Sequence, residues 1–390
     1  MRSRPRRLHH VAGFSIDTVA AAAGDDPAIL RLENLDTDLL PPLAAIEATR
    51  AAVGMDSANS YLPFTGQLAA KQAVAAQIAE RTGIAYDPSS EVILTSSDGD
   101  CLLNALLAVT DPEDEILMTD PTYAGMLNRV YLAGGVPVLV PMRVSDNAWR
   151  LDLEALEAAV SPRTRAVFLQ NPSFPSGYRL NEEEWRALTH LCVDQDLWLI
   201  YWSFMEGVIY DGQPILSPVT YPGMRERTVI IGAASIEQRM IGWRIGWIVA
   251  PAEVMSDLAV VHIYNGITPG GIAQAGLIAA LNDGDGGLAQ CVEEWQRRRD
   301  ALTAALDGFA MIPAAGGWSQ ILDTVEHGVD PGDLSRVLLR HGVAATAMTG
   351  WGGEVANRHL RLVFSNEPVE RLQLLGDRFR AAMREAGGDV

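Results

Sequence analysis

The sequence predicts an α/β protein built on a mostly parallel sheet. From Glu91 onward, short apolar runs alternate with amphipathic stretches of helical period, the pattern of strands joined by crossover helices. The chain has 390 residues and is 48% hydrophobic, more than one typical core can use, so two lobes are expected. Neither an internal repeat nor a low-complexity linker breaks the alternation. In sheets of this kind ligands gather at the carboxyl ends of the strands.

In chain order, residues 1–45 read as an arm, 46–280 as a large domain, and 281–390 as a small domain that also takes part of the arm. The arm has a short helix over Phe14–Ala23 and an extended run, ILRLENLDTDLLPP. GQLAAKQAVAAQIAERTG is an amphipathic helix with Leu68, Val74 and Ile78 on its buried face. Its Lys71 is expected to extend into water. The alternation then runs: strand EVILT, helix Asp98–Leu107, strand EILM, helix Tyr123–Leu132, strand VPVLV, helix Leu153–Ala159, strand RAVFL, helix Glu182–Cys192, strand LWLIY, and strands TVIIG and IGWIVA. A long helix from Ile272 through Leu281 to Leu306 leads into the small domain. There WSQILDT, GVAATAM and HLRLVFS read as strands and Glu367–Glu385 as the last helix.

Composition narrows the function. A formal charge of −19 argues against a nucleic-acid partner, because phosphate backbones select positive surfaces; solubility accounts for the acidity. Cys101, Cys192 and Cys291 are few and widely spaced, which suits a reducing cytoplasm and gives no metal signature. The basic start MRSRPRRLHH is not followed by a signal-type apolar run. No stretch of about 18 uninterrupted apolar residues is present, so no membrane span is expected.

Several stretches carry chemistry. Thr95-Ser96-Ser97-Asp98-Gly99-Asp100 is a strand-to-helix turn, and Ser97 with Asp100 reads as a capping pair. Asn171-Pro172-Ser173-Phe174-Pro175-Ser176-Gly177 is a Pro/Gly turn after a strand. Leu199-Ile200-Tyr201-Trp202-Ser203-Phe204-Met205 ends a strand in aromatic residues. Ala233 to Trp247, AASIEQRMIGWRIGW, links two more strands. Asp98, Asp100 and Glu237 could act as general acid or base if buried among apolar groups. Arg239 and Cys101 lie close by in sequence. A G-x-S-x-G, a paired zinc motif and a P-loop are all missing.

In order and spacing these stretches resemble the fold type I (class I/II) aminotransferases, which use pyridoxal phosphate (PLP). The likeness spans about 29 to 385. It implies a mostly parallel seven-stranded large-domain sheet with one antiparallel strand, IGWIVA, and a smaller α+β domain. It also implies a homodimer in which Tyr61 reaches the neighbouring subunit's site; Tyr61 also reads as an ordinary turn aromatic. Arg361 takes the place of the arginine that grips the substrate carboxylate, Arg244 that of the phosphate arginine, and Tyr123 that of the aromatic stacked on the cofactor ring. The extended run, with Leu32-Glu33-Asn34, is similar to that of capreomycidine-synthase-like members and lies along the substrate mouth.

Departures from the family pattern are as specific as the matches. The family reads S-x-S-K, five residues, then G-x-R-x-G; counting back from Gly242, the lysine position holds Ile236. Of the 30 Lys+Arg residues only Lys71 is a lysine. Ala233 replaces a phosphate-binding serine, Trp202 the aspartate that meets the pyridine nitrogen, Phe174 the asparagine that meets the ring oxygen, and Met205 a tyrosine. Lone polar groups would be unsatisfied in such a pocket. Either these side chains fill the cofactor cavity or they line a site for an aromatic ligand.

The expectation formed on these residues is a protein that has lost PLP chemistry and needs no cofactor and no metal. It would catalyse a condensation or cyclisation of a carboxylate-bearing, amino-acid-derived and possibly aromatic small molecule in a biosynthesis. Glu237, Asp98 and Tyr123 would be catalytic. Arg361, Tyr123, Trp202, Phe174, Met205, Ile236, Asn171, Arg244 and Tyr61 would bind substrate. A non-catalytic pseudoenzyme and a non-covalent pyridoxamine phosphate enzyme stand as alternatives.

Overall fold

A computed structural model of the chain describes residues 4–389 other than 12 and 14. Phe14, expected to open the first helix, lies outside the described residues. The helices are α1 (Ser15–Ala23), α2 (Leu43–Val53), α3 (Leu68–Thr82), α4 (Asp98–Val109), α5 (Ala124–Ala133), α6 (Leu153–Ala158), α7 (Glu182–Asp194), α8 (Ala252–Gly266), α9 (Gly271–Leu281), α10 (Leu288–Ala305), α11 (Pro331–Arg340), α12 (Val369–Leu372) and α13 (Leu375–Glu385). The strands are β1 (Leu30–Arg31), β2 (Val92–Thr95), β3 (Glu115–Asp120), β4 (Val136–Ser145), β5 (Ala148–Leu151), β6 (Thr164–Gln170), β7 (Trp198–Trp202), β8 (Thr228–Ala233), β9 (Gly246–Val249), β10 (Ser319–Asp323), β11 (Val343–Ala344), β12 (Thr346–Ala347) and β13 (His359–Val363).

The large sheet runs β2-β9-β8-β7-β6-β3-β4-β5. The pairs β8–β7, β7–β6, β6–β3 and β3–β4 are parallel, and β9 is antiparallel to both β8 and β2. This is the mixed sheet of the aminotransferase fold. It has eight strands rather than the expected seven: Asp146 and Asn147, both at positive φ, turn the end of β4 back into β5. Helices cover both faces, so the central strands are apolar along their whole length and buried.

The small domain has a three-stranded antiparallel sheet, β10-β13-β12. The arm is tied to it: β1 pairs in parallel with β11, and Val363 N donates to Leu32 O at 2.9 Å. Asp120, at the end of β3, accepts from Val355 N and Ala356 N at 3.0 Å each and so ties the large sheet to the segment that leads into β13.

Three expectations change. The single helix over 272–306 is two helices, because Asn282–Gly287 contains three glycines at positive φ, Gly284, Gly286 and Gly287. The last helix is likewise split between α12 and α13. Lys71 does not extend into water: it is 6% exposed, and Nζ donates to Thr65 Oγ1 at 3.3 Å and to Ser89 O at 3.4 Å. Burial lowers its pKa, and its partners hold it away from the strand ends. Among the described residues no helix is long and apolar enough to cross a membrane, and no group of three His, Cys, Asp or Glu could hold a metal.

Candidate functional site

Loops leaving β2, β3, β6, β7 and β8, with the turn that enters antiparallel β9, meet at one end of the large sheet. Topology alone therefore collects Ser97–Gly99, Tyr123, Phe174, Trp202, Ser235–Ile236 and Arg244 there. They line an open cavity of about 340 Å³, closed on the far side by Ile16 and Asp17 of α1 and Asn34 and Leu35 of the arm. Open space is bounded by these side chains, while at one end of it Tyr123 and Trp202 pack directly on one another. A larger hollow of about 650 Å³ lies beside α7, around Arg186 and His190. It receives nothing from the strand ends, and the chemistry is placed in the smaller cavity.

The floor of the cavity is aromatic. Trp202 and Phe204 stack with centroids 4.0 Å apart and planes at 9°. Tyr123 sits 5.0 Å from Trp202 and 5.7 Å from Phe174. Gly125 leaves room for it: a Cβ there would fall 2.4 Å from the phenol ring. Burial raises the Tyr123 pKa, so the phenol keeps its proton at neutral pH.

One rim is polar. Ser97 caps α4, its Oγ accepting from Asp100 N at 3.2 Å. Asp98 Oδ1 accepts from Gly99 N at 3.0 Å and stands 3.7 Å from Arg244 Nη2. Burial raises the Asp98 carboxyl, and Arg244 and Arg129 oppose the shift. Arg244 itself adopts positive φ and stays exposed. Arg129 is a site residue that motif reading missed. From α5 it donates Nε to Gly99 O at 2.9 Å and Nη1 to Gly125 O at 2.8 Å. A Cβ on Gly99 would fall 2.6 Å from its Nη2. The glycine at 99 was the signal that a long side chain crosses there.

Arg361 lies just beyond the cavity wall. It is fully buried, with its guanidinium carbon 5.0 Å from the Phe174 ring centroid and 4.7 Å from that of Trp351. Nη2 donates to Glu33 O, whereas Nε and Nη1 have no partner among the described residues. Burial pulls its pKa down to about 9, so it remains charged at neutral pH.

Other expected site residues lie elsewhere. Glu237 does not face the cavity. Arg81 binds it at 2.7 and 3.2 Å, Gly207 N donates to it at 2.6 Å, and the same arginine reaches Glu206 at 3.2 Å. It is the anchor of a buried ion cluster and not a free base. Met205 is buried away from the cavity, with Sδ 3.5 Å from where a Cβ on Gly317 would lie. Asn171 is committed to the turn, accepting from Leu180 N at 2.9 Å and donating to Leu216 O at 3.4 Å. Tyr61 is 82% exposed and does not line this chain's own cavity, as a residue expected to reach the neighbouring subunit would not. Cys101 shares a contact of 2.9 Å with Thr95 Oγ1, and burial pushes its thiol up. Arg239 is held by the carbonyls of Leu40, Glu237 and Gly286.

The sequence pattern of the family described as "Aminotransferase class I and II" matches residues 30–379. The chain is 32% identical over 359 residues to the arginine–pyruvate transaminase of Pseudomonas aeruginosa, covering 89% of this chain and 88% of that protein. It is 30% identical over 358 residues to a probable N-succinyldiaminopimelate aminotransferase of Mycobacterium tuberculosis, covering 87% and 90%. The solved structure of N-succinyldiaminopimelate aminotransferase from Mycobacterium tuberculosis superposes with a TM-score of 0.91 at 28% identity, covering 97% of this chain and 100% of that one. A Thermus thermophilus aspartate aminotransferase double mutant superposes with a TM-score of 0.90 at 28% identity, covering 98% and 100%.

These relatives overturn the expectation of a cofactor-free condensing or cyclising protein. They are named as transaminases, so amino-group transfer is the chemistry to be expected, with PLP as the family's cofactor. The cavity's fit to that group is uneven. Ser97, Ser235, Arg129 and Arg244 at the polar rim suit a phosphate, against the opposing charge of Asp98. The ring end does not fit. Ile236 offers no amine, Phe174 no amide and Trp202 no carboxylate, and Trp202 packs against Tyr123 with only 5.0 Å between centroids. Fold, match and relatives agree at the level above chemistry: the chain belongs to the aminotransferase class I and II family.

Proposed function

We propose that this aminotransferase-family protein acts on an amino acid or the corresponding 2-oxo acid, whose carboxylate is taken by Arg361. One observation carries the reading. A wholly buried guanidinium with two unpaired nitrogens stands against an open aromatic cavity, and a buried cation of this kind calls for an anion that can take both donors. Tyr123, Phe174, Trp202 and Phe204 favour an apolar or aromatic side chain on that ligand. Asp98 and Tyr123 are the titratable groups able to hold a proton beside it. The Leu32-Glu33-Asn34 run supports a likeness to capreomycidine-synthase-like members at the mouth.

Amino-group transfer, the reaction in the relatives' names, is the activity to assay first. The purified protein, with PLP supplied, would be given a panel of amino acids as donors and pyruvate as acceptor, and ligand binding would be followed by calorimetry. Binding of carboxylate ligands that Arg361→Met removes supports the reading; equal binding by both proteins overturns it.

We also place the protein in the cytoplasm as a homodimer. The three unpaired thiols support the first. The second is supported by an exposed apolar strip of Leu40, Leu43, Met55, Tyr61, Phe64 and Tyr264, whose two segments are joined by His262 Nε2 and Phe64 O at 2.9 Å.

A further inference from the structure

Three buried polar atoms without partners belong to two residues that touch each other behind the cavity wall. Arg361 Nε and Nη1 have no acceptor, and Glu33 Oε2 has no donor, among the described residues. Both side chains are fully buried. They are neighbours, since Arg361 Nη2 donates to the backbone carbonyl of Glu33. The other oxygen of Glu33 is taken: Oε1 receives Arg31 Nε at 2.7 Å and Arg31 Nη2 at 2.5 Å. Nearby, Glu367 pairs with Arg371 at 2.5 Å and accepts from Arg31 N at 2.6 Å. Of the three arginines in this group, Arg361 alone has no carboxylate partner among the described residues.

Buried donors and acceptors are costly to leave unmade, so the unpaired set describes what is missing. A carboxylate by itself would satisfy Arg361 and leave Glu33 Oε2 unpaired. An amine by itself would do the reverse. A carboxylate with an ammonium on the adjacent carbon satisfies all three atoms.

We propose that Glu33 selects α-amino acids at this site, its Oε2 accepting from the ligand ammonium while Arg361 holds the carboxylate. The inference rests on the carboxylate reading of Arg361 given above. It assigns the arm a role in specificity: Asn34 and Leu35, which follow Glu33, already line the cavity. Phe174 is the partition. Its one face lines the cavity, and Arg361 lies behind it at 5.0 Å. A ligand in the cavity reaches the Glu33–Arg361 pair only if this ring swings aside.

The test is calorimetric binding on the full chain with three probes that share one aromatic side chain: L-phenylalanine, 3-phenylpropanoate, which lacks the amine, and phenethylamine, which lacks the carboxylate. Wild type should bind phenylalanine at least about tenfold more tightly than either partial probe, the scale of one charge-assisted hydrogen bond. Glu33→Gln should bring phenylalanine down to within about threefold of 3-phenylpropanoate, whose own affinity should not fall. Equal binding of phenylalanine and 3-phenylpropanoate by wild type overturns the role of Glu33 and leaves that of Arg361 standing. Equal binding of phenylalanine and phenethylamine removes Arg361 and the proposal together, as does the absence of binding by all three at millimolar concentration. The wild-type comparison decides the matter even if Glu33→Gln fails to fold.

Discussion

Removing the Arg361 guanidinium should cost the empty protein almost nothing and cost ligand binding nearly everything. The magnitude follows from its surroundings. Burial draws its pKa from 12.5 to about 9, which corresponds to a charging penalty on the order of 5 kcal/mol. The Phe174 and Trp351 rings at 5.0 and 4.7 Å return about 1–2 kcal/mol each in a desolvated setting. The charged hydrogen bond to Glu33 O returns about 2 kcal/mol. The sum is close to zero, so Arg361→Met, which keeps the volume and removes the charge, should change unfolding stability by no more than about 1–2 kcal/mol. The sign with pH is set by the lowered pKa. The unfolded chain binds the proton more tightly, so the penalty is complete below the folded value and is relieved as pH rises through about 9. Urea denaturation at pH 7, with and without L-phenylalanine, is the assay. Wild type should gain stability with ligand and Arg361→Met should not. A loss above about 3 kcal/mol in the unliganded variant would refute the reasoning and make Arg361 a structural ion.

Three further outcomes are expected. Arg81→Met should cost about 3–5 kcal/mol, because it leaves Glu206 and Glu237 buried without their cation. Burial already raises the Glu206 carboxyl, so the folded state holds its proton more tightly and this contribution falls as pH rises through the folded pKa; the variant should therefore be weaker at pH 8 than at pH 5 by urea denaturation, and equal loss at both would count against the cluster. Asp98→Asn should improve sulfate binding at the polar rim by roughly tenfold in calorimetry. With its raised carboxyl, wild type should gain the same affinity as pH falls while the variant stays flat, and an unchanged affinity would show that anions do not bind beside Asp98. In sedimentation, wild type should run as a dimer at micromolar concentration and Tyr264→Arg, on the exposed apolar strip where Tyr264 is 89% exposed, should shift it toward the 42.1 kDa monomer; a monomeric wild type would remove the dimer.

How much of this was legible in the chain depends on the range of the interactions involved. Strands and helices are set by local periodicity and capping, so the alternation from Val92 to Val249 could be read directly. So could the strand-end positions of Asp98, Tyr123, Phe174, Trp202, Ile236 and Arg244, because the parallel topology brings those ends together whatever the side chains are. The split of the long helix is also written in the chain, in the glycines of the run Asn282–Gly287. What the sequence could not decide is which way a side chain turns once its backbone is placed. Glu237 is next to Ile236, yet Arg81, 156 positions away in the chain, turns it out of the cavity. Arg129 crosses from α5 to the site over Gly99 of α4, where a Cβ would meet its guanidinium. Lys71 is buried by a loop around Ser89, although its own helix marks it as a surface position. The unpaired atoms of Arg361 and Glu33 are likewise a property of the fold: hydrogen-bond partners are counted in space, and only packing shows which of them are missing.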